Sequence, residues 1–250
     1  MWSTESTNQI ANISGYFEDA YSIFVTENGD IFIDNDIENG HRVERWLSKE
    51  DKFEIVMNVS ASCYGLFVDI NDTLYCSLQH HSKIVKTWLN DKSMIITVVV
   101  GESSPSDPSN KITFPCGIFV DDNFDLYVAD SGNNRIQLFQ LGDSTGKTVA
   151  GETSSNPTTA LDCPTGIVLD ANKYLFIADL MNNRIVGSGP YGFRCLIGCN
   201  GQGSESHQLS APWSLAFDSY GNIFVTDRNN HRIQKFFYIE NSCGKFKILL

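Results

Sequence analysis

The chain of 250 residues lacks any run near the roughly 18–20 uninterrupted apolar residues that a membrane-crossing helix needs, so membrane insertion is not expected. Its first residues, MWSTESTNQIANIS, have neither a basic n-region nor an apolar h-region, so no secretory signal is visible. With Met1 as the true start, the default compartment is the cytoplasm. Basic residues are in short supply: 18 Lys and Arg stand against 30 Asp and Glu, a formal charge of −12. Such a surface repels phosphate backbones, which disfavours nucleic acid as a partner. Proline is scarce at 7, while glycine reaches 19, a balance that suits many tight turns better than long helices.

The motifs of covalent catalysis are also missing. There is no G-x-S-x-G elbow, no CxxC pair and no cysteine with a recognisable histidine partner. Gly201-Gln-Gly203 lacks the rest of either glycine-rich phosphate fingerprint. The seven cysteines are an odd number; Cys195 and Cys199 are close enough for a disulfide, but ordinary thiols are the expectation. Three N-x-S/T sequons, at Asn12, Asn58 and Asn71, are near the chance level for so much Asn, Ser and Thr. Hydrophobic content of 42% with 19% charged residues is that of a folded globular chain.

What is present is a repeat. The segments PCGIFVDDNFDLYVADSGNNRIQLF from Pro115, CPTGIVLDANKYLFIADLMNNRIV from Cys163 and APWSLAFDSYGNIFVTDRNNHRIQKF from Ala211 share one plan. A small residue opens an apolar run ending in Asp; a polar turn, a second apolar run ending in Asp, and an Asn-bearing turn before Arg-Ile follow. Weaker copies start at Tyr21 and Cys63. The small residues Ser22, Gly65, Gly117, Gly166 and Ser214 are spaced 43, 52, 49 and 48 apart. The basic anchors Arg42, Lys83, Arg135, Arg184 and Arg232 are spaced 41, 52, 49 and 48 apart, so two independent markers drift together.

The runs are strand length and rich in Val, Ile, Phe and Tyr. In the third copy the pattern predicts strand a at 117–121, strand b at 125–129, strand c at 135–140 and strand d at 147–150, with a left-handed turn carried by Asn133 and Asn134. Four antiparallel strands per period, without helical periodicity between them, predict an all-β fold: a β-propeller of four-stranded blades, five of them visible. One such sheet has two apolar faces and needs a neighbour on each. Residues 1–20 form an N-terminal segment, in which 8–14 could add a closing strand, and 21–250 form the propeller.

These residues resemble the NHL-repeat family. The likeness lies in P-x-G-I-x-V-D (Pro115 to Asp121), L-Y-V-A-D (Leu126 to Asp130), N-N-R-I-Q (Asn133 to Gln137) and the blade-closing V-A-G (Val149 to Gly151). It weakens in the first two copies, where Ser77 stands for the strand-b Asp and DIENG lengthens a turn. The resemblance implies a ring that usually closes with six blades. Five copies and an apolar C-terminal run, KFKILL, therefore suggest a fragment, or an open or five-bladed ring. RNA binding, known for the NHL domains of tripartite-motif proteins, is not carried over, because the matching face lacks basic charge.

The pairs Asp130/Arg135, Asp179/Arg184 and Asp227/Arg232 sit five residues apart in successive copies. Repetition in every strong copy marks them as turn staples, since an active site would use such a residue once. His41, His80, His81 and His231 fall in b–c turns of different blades, too far apart to share one ion, and His207 has no partner at ligand spacing. No cofactor is expected, though the sequence leaves room for a channel calcium or zinc ion.

The informative positions are those that vary. Tyr21, Tyr64, Cys116, Thr165 and Trp213 each precede a strand-a anchor and should ring one mouth of the central channel. Long polar d–a loops share that face, with acids at Glu102, Asp107, Glu152, Asp162 and Glu205. The expectation is a non-enzymatic scaffold binding protein or peptide there, with the aromatics as anchors. The rival is a metal-dependent propeller enzyme, resembling lyases or lactonases, with its site in the channel.

Overall fold

A computed structural model describes residues 13, 15, 17–38, 40–91, 93–101, 111–143, 145–151 and 160–237. The expected closing strand at 8–14 and the run KFKILL lie outside the described residues, apart from Ile13. No helix among the described residues is long and apolar enough to cross a membrane.

The chain is a five-bladed, all-β propeller. Blade 1 comprises β1 (Ile23–Val25), β2 (Ile31–Ile37), β3 (Gly40–Leu47) and β4 (Lys52–Val59). Blade 2 comprises β5 (Cys63–Val68), β6 (Thr73–Leu78), β7 (Lys83–Trp88) and β8 (Thr97–Val100). Blade 3 has β9 (Pro115–Val120), β10 (Leu126–Asp130), β11 (Arg135–Phe139) and β12 (Lys147–Gly151). Blade 4 has β13 (Pro164–Leu169), β14 (Leu175–Asp179), β15 (Arg184–Gly187) and β16 (Arg194–Ile197). Blade 5 has β17 (Pro212–Phe217), β18 (Ile223–Asp227) and β19 (Arg232–Phe236) among the described residues. Strands within each blade are antiparallel and hydrogen-bonded in chain order. The third copy's strands a and b are displaced by a residue or two from expectation, because Asp130 still pairs with Arg135 across the hairpin and Pro115 pairs with Asp130.

Two local devices recur. The a–b turn is tied by an Asp whose Oδ1 accepts two backbone N–H bonds: Asp121 from Asn123 and Asp125, Asp170 from Asn172 and Tyr174, Asp218 from Tyr220 and Asn222. The b–c turn is a short 3₁₀ turn closed by one left-handed residue, Ser82, Asn134, Asn183 or His231, with φ between 52 and 54°. Asn133 is not left-handed; its amide instead bonds Asp130.

Neighbouring blades meet strand a to strand a, which explains the small anchors. A Cβ on Gly117 would lie 2.4 Å from the Thr165 carbonyl oxygen, and one on Gly65 2.5 Å from that of Cys116. Between blades lie apolar seams. One joins blades 1 and 2 through Phe32, Val43, Met57, Leu66 and Leu74. Similar seams join blades 2 and 3, 3 and 4, and 4 and 5. Among the described residues no such cluster joins blade 5 to blade 1. On those two outer faces Ile23, Val25, Ile233 and Phe237 are exposed.

Two expectations are corrected. Cys195 and Cys199 are bonded to each other rather than held as thiols, the short chain between them folding back at Gly198 (φ 73°). Cys63 and Cys76, on the paired strands β5 and β6, form a second disulfide that the spacing of 13 residues did not announce. In blade 2 the residue at the Asp position is Leu78, opposite Lys83, and Ser77 takes the place that Ala129 has in blade 3.

Candidate functional site

The b–c turns and d–a loops share a face, and the structure ties them together there. Asp130, Asp179 and Asp227 are each fully buried. Asp130 accepts bonds from Arg135 Nε at 2.7 Å and from the Thr113 amide of the preceding loop at 2.6 Å. Asp179 does the same with Arg184 at 2.8 Å and the Asp162 amide at 2.7 Å. Asp227 bonds Arg232 Nε at 2.8 Å and the Ser210 amide at 2.7 Å. The outer guanidinium nitrogen reaches a loop carbonyl in each case: Lys111, Ala160 or Glu205. The Asp227 carboxyl is held below its ordinary pKa; burial opposes this and is outweighed by bonds from Asn230, the Ser210 amide, Arg232 and Gln234. These residues fasten each d–a loop to the next blade's turn.

Blade 1 departs from that plan. Asn35 stands where the Asp would be, opposite Arg42, and accepts from the Glu18 amide at 3.1 Å. Arg42 pairs with Glu44 instead, and its Nε is buried without a partner. Acids flank Asn35 on both sides. Asp36 pairs with His41 and accepts from the Ser62 hydroxyl at 2.7 Å. Asp34 is fully buried; one oxygen accepts from the Cys63 amide at 3.0 Å and the other has no partner. Its pKa is raised to about 7, chiefly by burial and further by the charge of Asp36, against the pull of the Cys63 and Tyr21 amides.

Asp34 bonds Ser22 and Cys63, the sequence neighbours of Tyr21 and Tyr64, and those two rings belong to an aromatic cluster. The rings of Tyr21 and Tyr64 stack with centroids 4.5 Å apart. Trp213, from blade 5, lies 6.2 Å from the Tyr64 ring. His80 packs edge-on against Tyr64, and the Arg228 guanidinium sits 5.0 Å over the Trp213 ring. The Tyr64 hydroxyl is pushed up to about 12 by burial and by Tyr21. Of the five positions preceding the anchors, the structure thus gathers Tyr21, Tyr64 and Trp213. Cys116 and Thr165 are buried instead: Cys116 accepts from Gln79 Nε2 at 2.9 Å, and Thr165 donates to the Pro212 carbonyl at 3.2 Å. Side-chain length separates the two groups, since Cys and Thr end inside the seam where Tyr and Trp reach past it.

His80, Gln79 and Arg228 were not singled out from sequence as part of this cluster, although their place in b–c turns puts them on the same face. Of the loop acids, Asp162 and Glu205 are exposed, while Glu102, Asp107 and Glu152 lie outside the described residues. Among the described residues, no group of three or more His, Cys, Asp or Glu side chains could hold a metal ion.

The NHL-repeat family model matches residues 209–236. That match and the propeller together fit an NHL-repeat β-propeller. No curated protein matches the chain. Among solved structures, the chain is similar to an auxiliary nutrient binding protein from Bacteroides thetaiotaomicron VPI-5482, at 15% identity and a TM-score of 0.69, over 90% of this chain and 60% of that one. The chain thus spans about 60% of that protein's length. It is similar to a chain of a nidogen/laminin complex at 19% identity and a TM-score of 0.60, over 78% of this chain and 70% of the other. A catalytically inactive virginiamycin B lyase from Staphylococcus aureus, solved with quinupristin, is similar at 15% identity and a TM-score of 0.57, over 92% and 83% of the two chains. At these identities the likeness is one of fold.

Proposed function

We propose that the chain is a recognition scaffold that takes a protein or peptide partner on the face built by its b–c turns and d–a loops. The observation that carries this is the convergence of Tyr21, Tyr64 and Trp213, from three different blades, into one cluster flanked by His80 and Arg228. Aromatic and arginine side chains anchor interfaces because they offer large contact area and a polar handle at small entropic cost. The buried Asp–Arg staples serve as the frame, since they recur in three blades and spend their bonding on loop backbone. The two disulfides favour an oxidising compartment over the cytoplasm. Solved neighbours named for nutrient binding and for a nidogen/laminin complex are consistent with binding.

Peptides selected from a displayed library against the whole chain test the site. Trp213→Ala combined with Tyr64→Ala is expected to weaken the selected peptides at least about tenfold. Tyr191→Ala, at a fully exposed position in another blade's outer turn, should leave them unchanged. Equal affinity for both variants would remove the aromatic cluster as the site.

The likeness to virginiamycin B lyase favours a second reading, a channel enzyme. Stoichiometric calcium or zinc in the purified protein would support it.

A further inference from the structure

The position held by Asp34 has a counterpart in every blade, each opposite the apolar residue that faces the next seam. These are Ser77, Ala129, Ala178 and Thr226, paired with Ile84, Ile136, Ile185 and Ile233; Asp34 is paired with Val43. In blade 2 the counterpart is neutral and donates outward: Ser77 Oγ bonds the Cys116 carbonyl of the next blade at 2.5 Å. In blades 3 and 4 it is a methyl group. Blade 1 alone puts an ionisable group there, wholly removed from solvent.

Its location gives it leverage. The backbone amide of Asp34 bonds the Ser22 carbonyl at 3.1 Å, and its side chain holds the Cys63 amide at 3.0 Å. Residues 22 and 63 adjoin Tyr21 and Tyr64, the stacked pair. One residue, through its backbone amide and its carboxyl, therefore spans the starts of β1 and β5, the two strands that present the stack. Its second oxygen makes no hydrogen bond. An ionised carboxylate there would bury a charge that only the two amides and His41 relieve, with the negative Asp36 beside it.

We propose that Asp34 is a proton-operated latch for the aromatic mouth: protonated, it lets blades 1 and 2 close and the Tyr21–Tyr64 stack form, and ionised, it drives that seam apart. The titratable groups that act on it are Asp36 and His41, both on its own hairpin; blade 2 contributes the Cys63 amide, and the Ser62 hydroxyl through Asp36. The device stands independently of any partner.

The test is a near-ultraviolet circular dichroism titration of the intact chain between about pH 5 and 9. The wild type is expected to show a one-proton change in the tyrosine signal with its midpoint near 7. Asp34→Ala, which copies blades 3 and 4, should abolish the change, while His41→Gln should keep it. Asp34→Ser, which copies blade 2, stands in if the alanine variant fails to fold. A flat wild-type titration, a transition that survives in the Asp34 variants, or one lost in His41→Gln would overturn the latch.

Discussion

Ile185 and Ile233 occupy the same place in successive blades, opposite Ala178 and Thr226, yet Ile185 is fully buried and Ile233 is 72% exposed. The difference lies in what comes next. Ile185 faces blade 5 across a filled seam, whereas among the described residues no apolar cluster covers the face that Ile233 presents. Blade 1 shows the matching lack on its opposite face, with Ile23 and Val25 exposed where their blade 4 counterparts Ile167 and Leu169 are buried. Burial in a propeller therefore belongs to the seam, not to the residue or the blade. A repeat supplies two half-seams, and each counts only when its neighbour supplies the other.

The largest expected effect breaks a staple. Asp179→Ala leaves the Arg184 Nε and the Asp162 amide without their acceptor, and should lower the unfolding free energy by about 3–5 kcal/mol in urea titration. Next comes the paired comparison itself. Ile185→Ala should cost about 2–4 kcal/mol, and Ile233→Ala less than about 0.5 kcal/mol. Similar costs for both would mean that the face of blade 5 is covered in solution.

The seam between blades 1 and 2 should depend on pH in a way that the others do not. Because the folded-state pKa of Asp34 is raised from 3.8 to about 7, its stabilising influence is full below the lower value and is lost as pH rises towards the upper one. Between about pH 5 and 8 this amounts to a fall of on the order of 2 kcal/mol, absent in Asp34→Ala. Four of the carboxylates held below their ordinary range, Asp30, Asp121, Asp218 and Asp227, act in the opposite sense and only as pH falls below about 4. Thermal melts across the two windows separate the contributions.

The repeat, its blades and the Asp–Arg spacing were legible because they depend on neighbours in sequence. Alternation sets which side of a strand faces a seam, and a five-residue spacing bridges a tight hairpin turn wherever it occurs. The site was legible only in part. Cys116 and Thr165 stand at the same repeat position as Tyr64 and Trp213, and nothing local told that the short side chains would end inside the seam. The repeat also carries a bulge there: pairing steps from Ile118 with Val128 to Pro115 with Asp130, so simple alternation fails ahead of the glycine.

Fold class, the five visible repeats and the Asp–Arg spacing of the turns thus follow from the sequence alone, since each rests on contacts within a few dozen residues. Three things were decided only by the tertiary structure: which cysteines meet, which aromatics from separate blades gather at the mouth, and that Asp34 is sealed from water. Each depends on how strands from different blades, or bulged strands within one, approach in space. That approach is set by seam packing, which no local pattern encodes.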